Sequence, residues 1–321
     1  MTATAKTTAT AKTRSPKQVS DSLLTSRENR WLKRFRASLC APADDERNDG
    51  LIGVEGLRLV EAALGSGLQI EALLVSESGK RRMDRLDPSL LRAVRILYTT
   101  DRLFAGVADT KSPQGVAALV RPRISTMEDI VRGVALVAVL AGVQDPGNVG
   151  TILRAAEAFG ATGAAICAAG ALGTADPLAP KALRASAGSA LRLPIVRGIS
   201  SLELLSKLRQ AGVKLYAAVP DRAGAVRRKD GADASADRTV IKPWEADWKS
   251  PAAVLIGNEG AGLPQEMIQG SDVLLSIPQA GASTRSTVKL REGAVGIESL
   301  NAAMAGTVLL YEAMRQRGGR L

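Results

Sequence analysis

Not one of the 321 residues is a histidine. That absence removes the commonest general base and the commonest metal ligand together, so any chemistry must run on Arg, Lys, Glu, Asp, Ser, Asn or a cofactor. Cysteine is almost as scarce: Cys40 and Cys167 stand far apart with no CxxC pair. This excludes a zinc knuckle and a disulfide framework, and it fits a reducing compartment. Aromatic residues are 3% of the chain, too few for the rows of stacking rings that grip single-stranded nucleic acid. No apolar run approaches the roughly 18–20 residues of a membrane span.

What is present in excess is positive charge, 43 Lys and Arg against 32 Asp and Glu, for a net charge of +11. A basic surface favours a polyanionic partner, most simply nucleic acid, bound through backbone charge and shape. The chain is 45% hydrophobic and long enough for two cores. Residues 1–27 hold almost no large apolar side chain and read as a disordered basic tail, with an organellar transit peptide as the rival reading. Residues 28–123 read as a small α/β domain. It opens with a basic helix at 28–39, followed by strands at 51–54, 70–75, 94–98 and 115–120 and helices at 57–64 and 102–107. Residues 124–133 read as a linker and 134–321 as a second α/β domain, opened by the continuous apolar run 134–141 of a central parallel strand.

Three stretches of the second domain stand out. The first is Gln144-Asp145-Pro146-Gly147-Asn148-Val149-Gly150, read as a glycine turn ahead of a helix at 151–159. Its spacing is neither GxGxxG nor GxxxxGK[ST], so a dehydrogenase or NTPase reading falls. Ile152, Leu153, Ala156 and Phe159 face the core of that helix, and Arg154 near its first turn reads equally as a solvated arginine or a functional one. The second stretch is a buried strand ending at Gly257 and followed by the turn 258–262, which carries one carboxylate, Glu259. The third pairs the strand 274–278 with a helix capped by Ser299. In that helix Leu300, Met304 and Val308 are expected on one face, and Ala302, Ala305 and Gly306 on a small-residue stripe. Two strand ends and a helix start of this kind form a backbone-lined pocket in parallel α/β sheets.

Taken in order, QDPGNVGTILRAAEAFGA, ADPLAPKALRASAGSALRLPIV, LIGNEGAGLP, IPQAG and ESLNAAMAGTVLLYEAMRQR resemble the SpoU/TrmH branch of the SPOUT RNA methyltransferases over residues 134–317. The first domain, with VEGLRLVEAAL and SPQGVAAL, is similar to the ribosomal-protein-like RNA-binding module that often precedes it. The resemblance implies an α/β fold with a C-terminal trefoil knot, a rare exception to unthreaded chains. It also implies a cytoplasmic homodimer, and methyl transfer from S-adenosyl-L-methionine to a ribose 2′-hydroxyl without a metal. Large-subunit ribosomal RNA is the expected substrate, with tRNA or a non-catalytic ribosome-assembly role as alternatives. By position, Gly257, Ile277 and Leu300 match cofactor-holding residues, while Asn148, Arg154, Glu259, Ser299 and Asn301 match the polar residues of the reaction centre. Arg154 is assigned to clamping phosphate and polarising the hydroxyl, with the general base left open. Asn301 and Ser299 are assigned to orienting the hydroxyl, and Glu259 to fixing Arg154 or the knot turn. The chain departs from the family pattern at residues 282–294, an insertion carrying Arg285, Lys289 and Arg291.

Overall fold

The computed structural model of the chain describes residues 22–40, 49–92, 94–220, 240–279 and 300–318. Strands β1 (Ser22–Leu24), β2 (Ile52–Glu55), β3 (Ile70–Ser76), β4 (Ile96–Thr99) and β5 (Val116–Val120) form a first sheet in the order β1-β4-β3-β5-β2. The pairs β1–β4 and β4–β3 are parallel, and β3–β5 and β5–β2 antiparallel. Helix α1 (Arg30–Cys40) covers one face, and α2 (Leu57–Gly65) covers the other. The period of two decides which residue meets which helix: Ala117 and Leu119 of β5 pack with α1, while Val116, Ala118 and Val120 pack on the side of α2. The short helices α3 (Lys80–Met83), α4 (Pro88–Leu91) and α5 (Asp101–Ala105) complete the layer.

The basic tail was expected to run to residue 27, but β1 already pairs with β4. Leu24 is buried, and its carbonyl accepts a hydrogen bond from the Thr99 hydroxyl at 3.0 Å. Burial of one leucine and a parallel ladder are enough to order what composition alone leaves loose. The expected linker likewise holds a helix, α6 (Met127–Ile130), closed by a capping box between Thr126 and Asp129. Ile130 from this helix is fully buried in the second core.

The second sheet is entirely parallel, in the order β10-β12-β9-β11-β6-β7-β8. Its strands are β6 (Leu136–Ala141), β7 (Gly163–Cys167), β8 (Ile195–Val196), β9 (Lys214–Ala218), β10 (Val240–Ile241), β11 (Ala252–Ile256) and β12 (Val273–Leu275). The helices α7 (Pro146–Ala158), α8 (Pro180–Ala185), α9 (Ser189–Arg192), α10 (Ser201–Gln210), α11 (Gln265–Gln269) and α12 (Ala302–Gln316) cover its two faces. Central strands β6 and β11 are buried along their whole length, as unbroken apolar runs between two helical layers should be. The glycine stretch at 144–150 is not a loop. Asp145 caps the helix by accepting from the Asn148 amide at 2.9 Å, and Pro146 occupies the first helical position, where its missing N–H costs nothing. Gly150 then sits within α7 because a Cβ there would lie 2.4 Å from the Ala182 carbonyl of α8.

One apolar core runs through both halves, joining Leu59, Val60 and Ala63 of α2 to Leu183, Ala190 and Leu191. At the joint, a Cβ on left-handed Gly188 would lie 2.5 Å from that of Ala62. Beside it the Arg184 guanidinium pairs with Asp109 at 2.7 Å. The loop carrying Asp109 is itself held by the buried Glu55 carboxylate, which accepts from the amides of Asp109 at 2.9 Å and Thr110 at 3.3 Å.

Candidate functional site

The C-terminal ends of β9, β11 and β12 open onto a cleft of about 240 Å³. Its apolar lining is Ile256, Leu263, Ile268, Leu275, Ile277 and Leu300, and its polar rim is largely the backbone of Gly257 through Gly262. The cofactor candidates Gly257, Ile277 and Leu300 all line it. Among the described residues, no hydrogen bond involves the backbone of these three. Glycine at 257 has a further cause that the sequence did not show. The chain folds back over it, so a Cβ would lie 2.3 Å from the Gly262 carbonyl carbon and 2.4 Å from the Leu263 nitrogen.

That fold-back is built by Asn258, a residue the sequence reading passed over. Its side-chain oxygen accepts from the amides of Gly260 and Ala261 at 2.9 and 2.8 Å, and its amide nitrogen donates to the Gly142 carbonyl at 2.8 Å. A backbone pair between Asn258 and Gly262 closes the turn. Asparagine two residues ahead of a glycine is the legible signal here, since its side chain readily bonds the backbone two residues on in such turns.

Three of the predicted reaction-centre residues form one chain of hydrogen bonds. Glu259 Oε1 accepts from Asn148 Nδ2 at 2.9 Å, and Asn148 Oδ1 accepts from Asn301 Nδ2 at 3.1 Å. Asn301 Oδ1 then accepts from the first amides of α12, Ala303 at 2.8 Å and Met304 at 3.3 Å. Each contact fixes the direction of the next, so both amide groups have one satisfied orientation. Glu259 also takes the amides of Gln144 and Asp145 at 3.3 and 3.4 Å. Burial alone would raise its pKa, but the Asn148 amide and these backbone donors outweigh that and hold the carboxyl below its ordinary value.

Two expectations are corrected by this arrangement. Glu259 was expected to fix Arg154 or the knot turn; it accepts from Asn258 of its own turn at 3.4 Å and also holds Asn148 and the entry to α7, with no bond to Arg154 among the described residues. Arg154 lies six residues beyond Asn148, about 120° around the helix at 3.6 residues per turn. It is exposed and makes no hydrogen bond or ion pair among the described residues. The cap of α12 is Asn301, not Ser299. Ser299 falls outside the described residues, as do the insertion 282–294 and residues 221–239.

The expected division of α12 into a small-residue side and a Met304–Val308 side holds. Ala302, Ala303, Gly306, Leu309, Leu310 and Ala313 are buried, whereas Met304 is 63% exposed and Val308 and Tyr311 are each 42% exposed. Gly306 explains the choice: a Cβ there would lie 2.7 Å from Ile256 of β11, so the small-residue side is the one that lets the helix settle on the sheet. Phe159 packs edge-on against Tyr311 with centroids 5.6 Å apart.

The cations of the neighbouring stretch 176–197 are committed within the chain. Lys181 binds the capping Asp145 at 2.6 Å and holds that carboxyl below its ordinary pKa, together with the Asn148 amide. Arg192 grips Glu157 through two bonds of 2.6 and 2.7 Å, and Arg197 meets Asp176 at 3.1 Å. Among the described residues no group of three or more His, Cys, Asp or Glu could hold a metal ion, and no helix is long and apolar enough to cross a membrane.

The SpoU rRNA methylase family matches residues 135–311, and the MRM3-like substrate binding domain matches residues 46–118. The chain is 32% identical to an uncharacterized tRNA/rRNA methyltransferase of Synechocystis, over 92% of this chain and 94% of that protein. It is also 32% identical to the 23S rRNA (uridine(2479)-2′-O)-methyltransferase of Streptomyces viridochromogenes, over 82% of each. A solved structure of an AdoMet-bound rRNA methyltransferase from Sinorhizobium meliloti superimposes with a TM-score of 0.69 at 29% identity, covering 91% of this chain and 97% of that one.

Proposed function

This chain belongs to the SpoU rRNA methylase family, and from that premise we propose that it transfers the methyl group of S-adenosyl-L-methionine to a ribose 2′-hydroxyl of large-subunit ribosomal RNA. The observation that carries the reading is the wired chain Glu259–Asn148–Asn301 beside a cleft lined by the backbone of Gly257, Ile277 and Leu300, which makes no hydrogen bond among the described residues. The cleft suits the cofactor: apolar side chains can sandwich an adenine, and the backbone of Gly257, Ile277 and Leu300 offers the donors and acceptors that an adenine edge and an amino-acid tail require.

When bound, S-adenosyl-L-methionine supplies an activated methyl on a sulfonium sulfur. The protein's share is positioning, since in-line transfer depends on how the attacking oxygen is held. Asn301 and Asn148 are assigned to orienting the ribose hydroxyl, and Glu259 to fixing Asn148. Arg154, outside that chain of bonds, is assigned to the RNA phosphate beside the reacting ribose. Ser299 is assigned to the same centre by its place two residues before Asn301. A division into residues 28–123 for RNA binding and 134–321 for catalysis accords with the two sheets, and the proposed compartment is the cytoplasm.

Two coarser features extend the reading. A trefoil knot would account for α12 lying on α7 and β11 although the preceding strand, β12, is two positions away across β9. A homodimer would cover the exposed Met304, Val308 and Tyr311 of α12. Val308→Arg is then expected to shift the sedimentation profile towards monomer, and an unchanged profile would remove this face from the interface.

The deciding experiment incubates purified protein with radiolabelled S-adenosyl-L-methionine and unmodified 23S rRNA, then maps nuclease-resistant 2′-O-methyl dinucleotides. Label at one ribose is expected, with Arg154→Ala losing transfer while keeping most RNA affinity. RNA binding without incorporation into rRNA, tRNA or ribosomal particles would instead identify a non-catalytic assembly factor.

A further inference from the structure

Helix α1 lies outside the segment matched by the substrate binding domain, and no RNA-contacting residue has yet been assigned to it. Its buried side, Trp31, Leu32, Phe35 and Leu39, packs on the face of the first sheet turned away from the catalytic half. Its outer side carries basic residues and no acid. The unusual feature is Trp31, a residue 7% exposed that packs in this core and also has cations close to its ring. The guanidinium carbons of Arg34, Arg95 and Arg30 lie 4.9, 5.1 and 5.8 Å from its centroid. Two come from α1 and the third from the residue preceding β4, so the cluster is made by the tertiary fold.

Three like charges around one ring repel one another, and the compensation is partial. Arg34 meets Asp49 at 3.3 Å and Glu71 at 3.6 Å. Arg30 and Arg95 have no acidic partner among the described residues, and both are exposed. Attraction to the ring holds the guanidiniums near it, and the exposed Arg30 and Arg95 keep forked N–H groups of the kind that suit phosphate oxygens. In the catalytic half Arg184, Arg192 and Arg197 are all paired with carboxylates, with Arg154 an exception.

We propose that the Trp31-stacked arginines Arg30 and Arg95 form a second RNA-backbone contact, holding a segment of the substrate RNA on the face of the first sheet remote from the methyl-transfer cleft. The proposal rests on the RNA methyltransferase reading and adds to it the surface that extends the grip. It contacts phosphates, so it contributes affinity without sequence preference.

The test compares wild type with Arg30→Gln/Arg95→Gln on a fluorescently labelled 23S rRNA fragment across a salt series, with calorimetric S-adenosyl-L-methionine affinity as the control for an intact catalytic half. Losing two phosphate contacts should weaken RNA binding roughly tenfold at low salt and make the slope of log affinity against log salt shallower by about 1.5. Cofactor affinity should stay unchanged, and Arg30→Lys/Arg95→Lys should recover part of the loss. Should the double Gln variant fail to fold, Arg95→Gln alone carries the test with a slope change of about 0.7. Unchanged RNA affinity and slope, beside a wild type that binds, overturn the proposal. So does binding of phosphatidylserine vesicles that depends on Arg30 and Arg95 while RNA binding does not. A wild type that neither binds nor methylates RNA overturns the underlying reading as well.

Discussion

The two halves of the molecule use the same residue types in opposite ways. Around the cleft, cations and amides are turned inward: Lys181 holds the cap of α7, Arg192 holds Glu157, and Asn148 and Asn301 hold each other. In the first sheet's layer, Arg30 and Arg95 lie against an indole with no carboxylate partner among the described residues. A net charge of +11 therefore overstates the positive surface near the reaction centre and understates how concentrated it is elsewhere. What matters for an anionic partner is how many cations the fold leaves unpaired, and pairing is decided by tertiary neighbours.

Substitutions can break this contrast at several levels. The largest effect is expected at the wired centre. Asn148→Ala removes the middle of the chain of bonds, and a reacting group loosened by about 1 Å can lose on the order of a hundredfold in rate. Single-turnover methyl transfer should fall by that much, with cofactor affinity, measured by calorimetry, nearly intact. Next is Arg317, whose guanidinium donates to four carbonyls, those of Trp248, Val134, Ala135 and Ser250, at 2.6–2.9 Å. Arg317→Ala should cost about 2–3 kcal/mol in chemical denaturation, because partly buried carbonyls lose charge-assisted donors together.

Smaller effects sharpen the comparison. Arg184→Ala breaks a pair about one-third exposed at the joint between the halves. Its cost should stay under about 1 kcal/mol, visible mainly as a rise in KM for long RNA. Acid should act through Glu259. Its native pKa is lowered, so the stability it contributes is complete above the unfolded value of about 4.3 and is lost as pH falls through the lower native value. A stability titration below pH 5 should show this dependence in the wild type and lose it in Glu259→Gln.

Much of the fold was legible because apolar runs of five or six residues bounded by glycine or proline admit few readings. β3, β5 and β6 lie within a residue or two of expectation. The start of α7 was missed because proline and glycine are read as breakers, whereas Pro146 and Gly147 sit behind an aspartate cap and under Lys181. The two sides of α12 were legible, but which of them meets the sheet rests on Gly306, where a Cβ would lie 2.7 Å from Ile256. At the site, the resemblance to the family's motifs singled out Asn148, Glu259 and Asn301, which the fold brings together. The order of their bonds depends on contacts made across more than a hundred residues, beyond any local pattern.

Those separations govern how the protein acquires its activity. The bond between Asn301 and Asn148 spans 153 residues of chain, and that between Arg317 and Val134 spans 183. Contacts so distant in sequence close only after large loops have been ordered, which makes them slow to form. Helices and local strand pairs can therefore return on dilution from denaturant well before the amide chain is joined. Refolding should pass through species that are native in far-ultraviolet signal and inert in methyl transfer, with catalysis the last property recovered.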